Sequence, residues 1–271
     1  MVIYNRILVI KMVEIKDIEL FLLDMDGTVY IENQLIDGSE MFLSAIIENK
    51  KKYIFLTNNS SINKDDYLVK LKNMGIPCGA ENIFSSGMAA GLFLSKNRKG
   101  KKVFLVGTEA LAMEMNKYEV KLTEKNPDIV LVGFDREICY RKIEKACEFL
   151  DNGAEFIATN PDLLYPIKNK RFIPDCGSIC HMLTVATKKK PLYIGKPNRY
   201  IIDILIEKTG FPRENVVLIG DRLYTDIAAG INADINTILV LSGETNLHML
   251  KESSYQPDLV IPSIKELIKL L

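Results

Sequence analysis

The sequence predicts an α/β protein built on a parallel sheet with helices packed on its faces, and three observations carry that expectation. Short apolar runs of strand length alternate along the chain with amphipathic stretches of helix length. Several runs are apolar at consecutive positions instead of every second one, as strands buried on both faces require. The runs are also too numerous for one small sheet with its helices, so a second lobe is expected.

In chain order the strand-length runs are IELFLLD (18–24), YIFLT (53–57), VFLVG (103–107), DIVLVG (128–133), EFIAT (155–159), PLYIG (191–195), NVVLIGD (215–221) and NTILVL (236–241). LVIP (259–262) is a weaker ninth. Helical patterns fill 38–51, 63–74, 86–97, 140–151, 198–209 and 223–231. The chain has no low-complexity segment, long linker or short repeat. Two charged stretches lie just before apolar strands, KNRKGKK (96–102) and KKKP (188–191), and serve as candidate seams. They divide the chain into an outer domain, 1–98 with 190–271, and an inserted domain, 99–189.

The 271 residues are 48% hydrophobic and 26% charged, which supports a packed core and excludes wholesale disorder. Lys plus Arg and Asp plus Glu are 35 each, so no basic field exists to steer a nucleic acid, and none is expected as a partner. The lysine runs Lys50 to Lys52 and Lys188 to Lys190 read as solvated faces. Five irregularly spaced cysteines in a chain this long read as reduced thiols, and so as a cytoplasmic protein. Cys176, Cys180 and His181 lack the second cluster that would complete a zinc site. No run of 18 apolar residues spans a membrane. The opening MVIYNRILVIKM has neither the basic region nor the cleavage site of a secretory signal. Met12 offers a second start, because the periodic pattern begins after it. The sequons at Asn58 and Asn59 then carry no glycosylation meaning.

Polar clusters sit at the ends of four apolar runs, the place where open α/β sheets bind ligands. Asp24-Met25-Asp26-Gly27-Thr28 puts two carboxyls at i and i+2 of an extended segment, on one side, with Met25 facing away. Like charges that close call for a cation or a proton between them. Gly27 permits a sharp turn and frees backbone N–H groups for an anion. Thr57-Asn58-Asn59-Ser60 offers a hydroxyl and amides suited to phosphate oxygens, or else an ordinary turn and helix cap. Gly195-Lys196-Pro197 supplies a positive point charge. Gly220-Asp221-Arg222-Leu223-Tyr224-Thr225-Asp226 adds two further acids around a helix start, a set of oxygens that suits magnesium. Together these groups point to phosphoryl chemistry.

In this order, the four clusters resemble the four motifs of the haloacid dehalogenase superfamily. The TNNS and GDRLYTD wording resembles its class IIA capped phosphatases, the NagD-like, p-nitrophenylphosphatase and phosphoglycolate phosphatase branch. The resemblance implies a Rossmann-like parallel-sheet core with an inserted α/β cap of the C2 type, matching the insertion at 99–189. It implies Asp24 as a nucleophile that forms an aspartyl-phosphate, and Asp26 as the acid and later the base. It implies Mg²⁺ held by Asp24, Asp221 and the backbone carbonyl of Asp26, with Asp226 in support. Gly27, Thr57, Asn58, Asn59 and Lys196 are then the phosphate-binding residues. Haloalkanoic dehalogenases of the superfamily need no acid two residues after the nucleophile, so Asp26 favours phosphate esters.

In the implied cap, the segment from Asn160 to Pro166 resembles the family's specificity loop, with Asn160, Asp162 and Tyr165 as substrate contacts; its plain alternative is a proline-rich surface turn. Relatives often carry a GTG-like turn where this chain has Cys176-Gly177-Ser178-Ile179. The implied activity is Mg²⁺-dependent hydrolysis of small soluble phosphate monoesters. The alternatives are transfer of the same phosphoryl group to a small acceptor and a silent phosphate-binding module. An aspartyl-phosphate receiver domain is excluded by the long chain separation of Asp24 from Lys196. The superfamily's relatives include monomers and homodimers formed through the cap.

Overall fold

A computed structural model describes residues 2–4, 7–9, 14–167 and 171–271, with side chains from residue 14 onward. The alternative start at Met12 lies outside the described residues. The chain forms two compact units, one of residues 1–57, 68–84 and 196–271, the other of residues 58–67 and 85–195.

The first unit is built on an eight-stranded sheet. Its order is Val2–Tyr4, Ile7–Val9, Leu259–Ile261, Asn236–Val240, Val216–Gly220, Leu20–Leu23, Lys52–Thr57 and Ile83–Ser85. From Leu259–Ile261 to Lys52–Thr57 the strands are parallel, and Val2–Tyr4 with Ile7–Val9 adds an antiparallel hairpin at one edge. Leu20–Leu23 and Val216–Gly220 are buried at every position, so their unbroken apolar runs are explained by cover on both faces. The helices Ser39–Glu48 and Tyr200–Thr209 each turn in an apolar stripe, Phe42, Leu43 and Ile46 on one and Ile201, Ile202 and Leu205 on the other. Leu23 pairs with Ile219 on one side and with Phe55 on the other. Because all three strands run in the same direction, their carboxyl ends deliver Asp24, Thr57 and Asp221 to one edge of the sheet. Leu20–Leu23 is also where the strand order reverses, the switch point at which such sheets form a crevice.

The second unit has its own five-stranded parallel sheet, in the order Leu192–Tyr193, Glu155–Ala158, Ile129–Val132, Lys102–Val106, Lys121–Leu122. Its core joins Phe104, Val130, Val132 and Phe156 of the strands to Ile143 and Leu150 of helix Tyr140–Asp151 and to Cys180 and Leu183 of helix Cys176–Thr187. An antiparallel hairpin, Leu164–Ile167 with Arg171–Pro174, completes it. Among the described residues no helix is long and apolar enough to cross a membrane.

Each of the nine apolar runs forms a strand, and each helical pattern forms helix. The 223–231 pattern divides into a π-turn, Leu223–Ile227, followed by the short α-helix Ala228–Asn232. The seams differ from the charged stretches at 96–102 and 188–191. The chain passes between units at 84/85 and 195/196, and also briefly around 58–67, so 85–98 and 190–195 join the second unit instead of the outer domain. The reason is packing. Gly91 of helix Ser86–Asn97 presses on the Tyr118 ring, and Leu192–Tyr193 pairs with Ile157 and Ala158. The lysine-rich stretches are solvated surface beside strands, which looks the same in sequence whether or not a boundary follows.

Gly91 provides a test of this seam. A Cβ there would lie 2.3 Å from the Tyr118 ring. Alanine favours a helix over glycine by about 1 kcal/mol, yet Gly91→Ala is expected to destabilise the protein by about 1–3 kcal/mol through overpacking. Thermal or urea unfolding reads the sign, and a stabilised variant would show that this helix is not seated on Tyr118.

Candidate active site

The site in the first unit is organised by one buried lysine. The Lys196 ammonium donates to Asp24 Oδ1 and to Asp226 Oδ1, both at 2.6 Å, and to the carbonyl of Leu56 at 3.1 Å. Its three protons are therefore fixed on three acceptors from three different elements. Burial works against the charged lysine, but Asp226 and Asp24 outweigh it and raise its pKa. Asp24 is pushed up to about 8, by burial first, against the pull of Lys196 and with the help of the negative charges of Asp226 and Asp221. Arg222 adds a second cation; burial opposes its charge, and Asp24, Asp221 and Asp226 hold it protonated.

Asp221 is the least satisfied member. Oδ2 accepts from the Glu244 backbone N–H at 2.6 Å, but Oδ1 is buried with no hydrogen-bond partner among the described residues. Burial, then the charge of Asp226, raises its pKa to about 7. One oxygen each from Asp24, Asp221 and Asp226 lies within 4.8 Å of the others. An orphaned carboxylate oxygen in an all-oxygen trio is the donor set of a hard divalent cation, so the residues fit such an ion. The Asp26 carboxyl is not part of that trio.

Asp26 stands in a separate environment. Burial raises its pKa, opposed by the charges of Lys70 and Arg222 and by a hydrogen bond with Tyr30. Lys70 in turn donates to the Tyr30 hydroxyl at 3.1 Å and sits 4.2 Å from the centre of its ring. Met25, between the two acids, is buried, as the alternation of an extended segment requires.

Local backbone geometry explains the glycines. Gly27 has φ +85°, and a Cβ there would stand 2.4 Å from Asp221 Oδ2. Its N–H donates to the Tyr30 carbonyl at 2.8 Å, so this amide closes a turn instead of facing an anion. The π-turn carries Asp226 inward, where Oδ2 accepts from the Arg222 N–H at 3.1 Å.

The remaining expected residues belong to the second unit, apart from Thr57, which is buried at the end of its strand in the first. Asn58 donates to Asp162 Oδ2 at 3.1 Å, and its carbonyl accepts from Asn160 at 2.5 Å and from the Ser86 hydroxyl at 2.5 Å. Three expected residues are therefore bound to one another. Asn59 Oδ1 accepts from the backbone N–H and hydroxyl of Ser61, both at 2.8 Å, which makes it the closer of an Asx turn. Tyr165 lies 5.1 Å from the Phe134 ring and packs against the core of its unit. Residues 242–245, which no motif marked, wrap Asp221. Ser242 donates to the Gly27 carbonyl at 2.8 Å, Thr245 N–H to the Asp221 carbonyl at 3.2 Å, and a Cβ on Gly243 would meet Asp221 Oδ2 at 2.0 Å. The only sequence signal was a glycine between polar residues just past a buried strand.

Two family models match the chain. Residues 21–121 match the haloacid dehalogenase-like hydrolase model, and residues 193–267 match a second model described as HAD-hydrolase-like. The chain belongs to the haloacid dehalogenase-like hydrolases. Within them it is similar to an acid sugar phosphatase of Staphylococcus saprophyticus, 33% identical over 94% of this chain and 98% of that protein. It is 35% identical to the ribonucleotide monophosphatase NagD of Escherichia coli, over 90% of this chain and 96% of that one. Among solved structures, a 4-nitrophenylphosphatase from Thermotoga maritima superposes with a TM-score of 0.91 at 41% identity, covering 94% of this chain and 98% of the other.

The crowding of carboxylates predicts a pH effect on the metal-free protein. Asp24 and Asp221 keep their protons in the folded state well above the pH at which the unfolded chain loses them, so stability falls as pH rises from about 4 to 8. At about pH 8 in EDTA, Asp221→Asn is expected to raise stability by about 1–3 kcal/mol, because a buried charge is removed. Mg²⁺ is expected to raise the Tm of the parent protein, and the same variant should lose that rise. Thermal denaturation across pH checks both; a variant less stable than the parent in EDTA at high pH would show that the Asp221 charge is not a cost to the folded state.

Proposed function

We propose that the protein is a Mg²⁺-dependent phosphatase that hydrolyses small phosphate monoesters through an aspartyl-phosphate on Asp24. The observation that carries the reading is the Asp24–Lys196–Asp226 arrangement beside Asp221, with contacts of 2.6 Å to the lysine. It supports a carboxylate nucleophile fixed in orientation next to a buried positive charge. Asp24, Asp221 and the Asp26 carbonyl, with Asp226 in support, would hold Mg²⁺, which when bound supplies charge to offset carboxylates and phosphoryl oxygens.

In the first step an Asp24 oxygen attacks phosphorus, and the ester oxygen leaves with a proton from Asp26. Burial shifts Asp26 upward, which favours its protonated form over that of an ordinary aspartate. In the second step Asp26 takes a proton from water, the water oxygen attacks the same phosphorus, and inorganic phosphate leaves Asp24 free. Thr57 and Asn58 grip the phosphoryl oxygens, while Lys196 serves phosphate binding through its positive charge beside them and keeps Asp24 from rotating. Asn59 holds the turn that follows Asn58. Residues 99–189, which lie within the second unit, serve as the cap, in which Asn160, Asp162 and Tyr165 discriminate between leaving groups. The names of the relatives favour sugar phosphates and nucleoside monophosphates as first substrates, and the absence of any basic excess favours small soluble esters over nucleic acid.

Phosphate release from a panel of such esters, with Mg²⁺ and then with EDTA, tests the proposal. Release that requires the metal is expected. Asp24→Asn should abolish it while the fold persists, by about 10³-fold or more for loss of a nucleophile. Asp26→Asn should slow alkyl phosphates far more than p-nitrophenyl phosphate, whose leaving group needs little protonation. Equal losses on both substrates would remove Asp26 from the acid role, and near-normal turnover by Asp24→Asn would remove the nucleophile.

A further inference from the structure

A cavity separate from the aspartate site lies wholly within the first unit, at the amino ends of the strands whose carboxyl ends bear Asp24 and Thr57. Its volume is about 830 Å³, within the range of roughly 300–1,000 Å³ that small ligands occupy. Leu20, Ile54, Ile83, Phe84 and Leu205 are buried and form an apolar floor. The rim is basic: Lys51, Lys52 and Lys208 line it, and Glu81 is the one acid in the lining.

The three lysines differ in what they are free to do. Lys51 donates to the carbonyls of Ile15 at 3.1 Å, Lys16 at 2.6 Å and Ile18 at 2.7 Å, so its protons are committed to the turn Ile15–Asp17 and its exit. Lys52 and Lys208 have no carboxylate within ion-pair distance among the described residues. Each ammonium lies instead near an aromatic ring, Lys52 5.5 Å from the centre of Phe211 and Lys208 6.0 Å from that of Phe84. Two uncompensated cations above a buried apolar floor match a ligand with an apolar body and an anionic head. The body is desolvated on the floor, and the head meets the lysines in a setting where charge attraction is less screened than in open water.

We propose that this cavity binds a small amphipathic anion, an apolar body bearing a single carboxylate, sulfonate or phosphate, at a site separate from the reaction centre. Leu20 lies in its floor and Asp24 follows the same strand, so at about 3.3 Å per residue the two are roughly 13 Å apart along the chain. None of the lining residues has a part in the phosphatase mechanism, so the inference stands or falls independently of it.

The probe is 8-anilino-1-naphthalenesulfonate, whose fluorescence reports transfer to an apolar site. Cys78 lines the cavity, half-buried, while Cys139 is exposed in the second unit, so thiol labelling localises the probe. Saturable one-site binding is expected, with N-ethylmaleimide labelling of Cys78 slowed about tenfold at saturation and that of Cys139 unchanged, read by peptide mass. The double variant Lys52→Glu/Lys208→Glu should bind at least about tenfold more weakly, with unaltered Tm and unaltered turnover of p-nitrophenyl phosphate. Uncharged N-phenyl-1-naphthylamine should also bind at least about tenfold more weakly than the sulfonate. No saturable binding, saturation that leaves Cys78 labelling unchanged, or affinity indifferent to the charge reversal would overturn the proposal. Equal affinity for the uncharged probe would overturn its anionic half.

Discussion

The buried ammonium of Lys196 is the interaction on which the rest of the site depends. Three aspartates converge at the carboxyl edge of the central sheet, and without a cation among them their mutual repulsion and desolvation would push them apart or protonate them. Lys196 binds two of the three and the Leu56 carbonyl besides, so it fixes side chains from the ends of separate strands in one geometry. One lysine does not balance the set. Burial first, then the remaining negative charge, raises the pKa of Asp24 and Asp221, and Oδ1 of Asp221 has no partner among the described residues. A divalent ion bound by the trio would offset that charge, and its binding energy would compensate the cost of burying the carboxylates.

The sheet explains why such a cost can be borne. Leu20–Leu23 and Val216–Gly220 are fully buried parallel strands paired in register, so the positions after Leu23 and Gly220 are fixed by the interior of the core. Loop residues then complete the site from outside. Gly243 and Gly27 allow two backbones to close on the Asp221 carboxylate, and Glu244 supplies a hydrogen bond to it. Rigid strands position the charges while short loops adapt to them.

Much of this was legible in the sequence because strand periodicity and the placement of acids after apolar runs are local signals. Asp24, Lys196, Asp221 and Asp226 meet in space as their positions at strand ends implied. What stayed hidden depends on partners distant in the chain. The loop at 242–245 has no distinctive residue type, and its importance lies in the closeness of Asp221. Gly27 looked like a source of free amides, but Tyr30 takes its N–H. Asn59 looked like a ligand, but Ser61 occupies its oxygen. The compact units do not divide at the charged stretches, because lysine-rich surface beside a strand reads alike at a boundary and within a domain. The contacts that decide the matter, Gly91 on Tyr118 and Leu192–Tyr193 beside Glu155–Ala158, are tertiary.

The proposed mechanism turns on covalent phosphorylation of the Asp24 carboxylate. Rapid acid quench of the protein during turnover, borohydride reduction and peptide mass analysis test it directly, because reduction converts an aspartyl-phosphate to homoserine and leaves a free aspartate untouched. Homoserine is expected at position 24 alone, formed only when both Mg²⁺ and a phosphate ester are present. An intact Asp24 in protein that is demonstrably turning over, or reduction at another carboxylate, would contradict it.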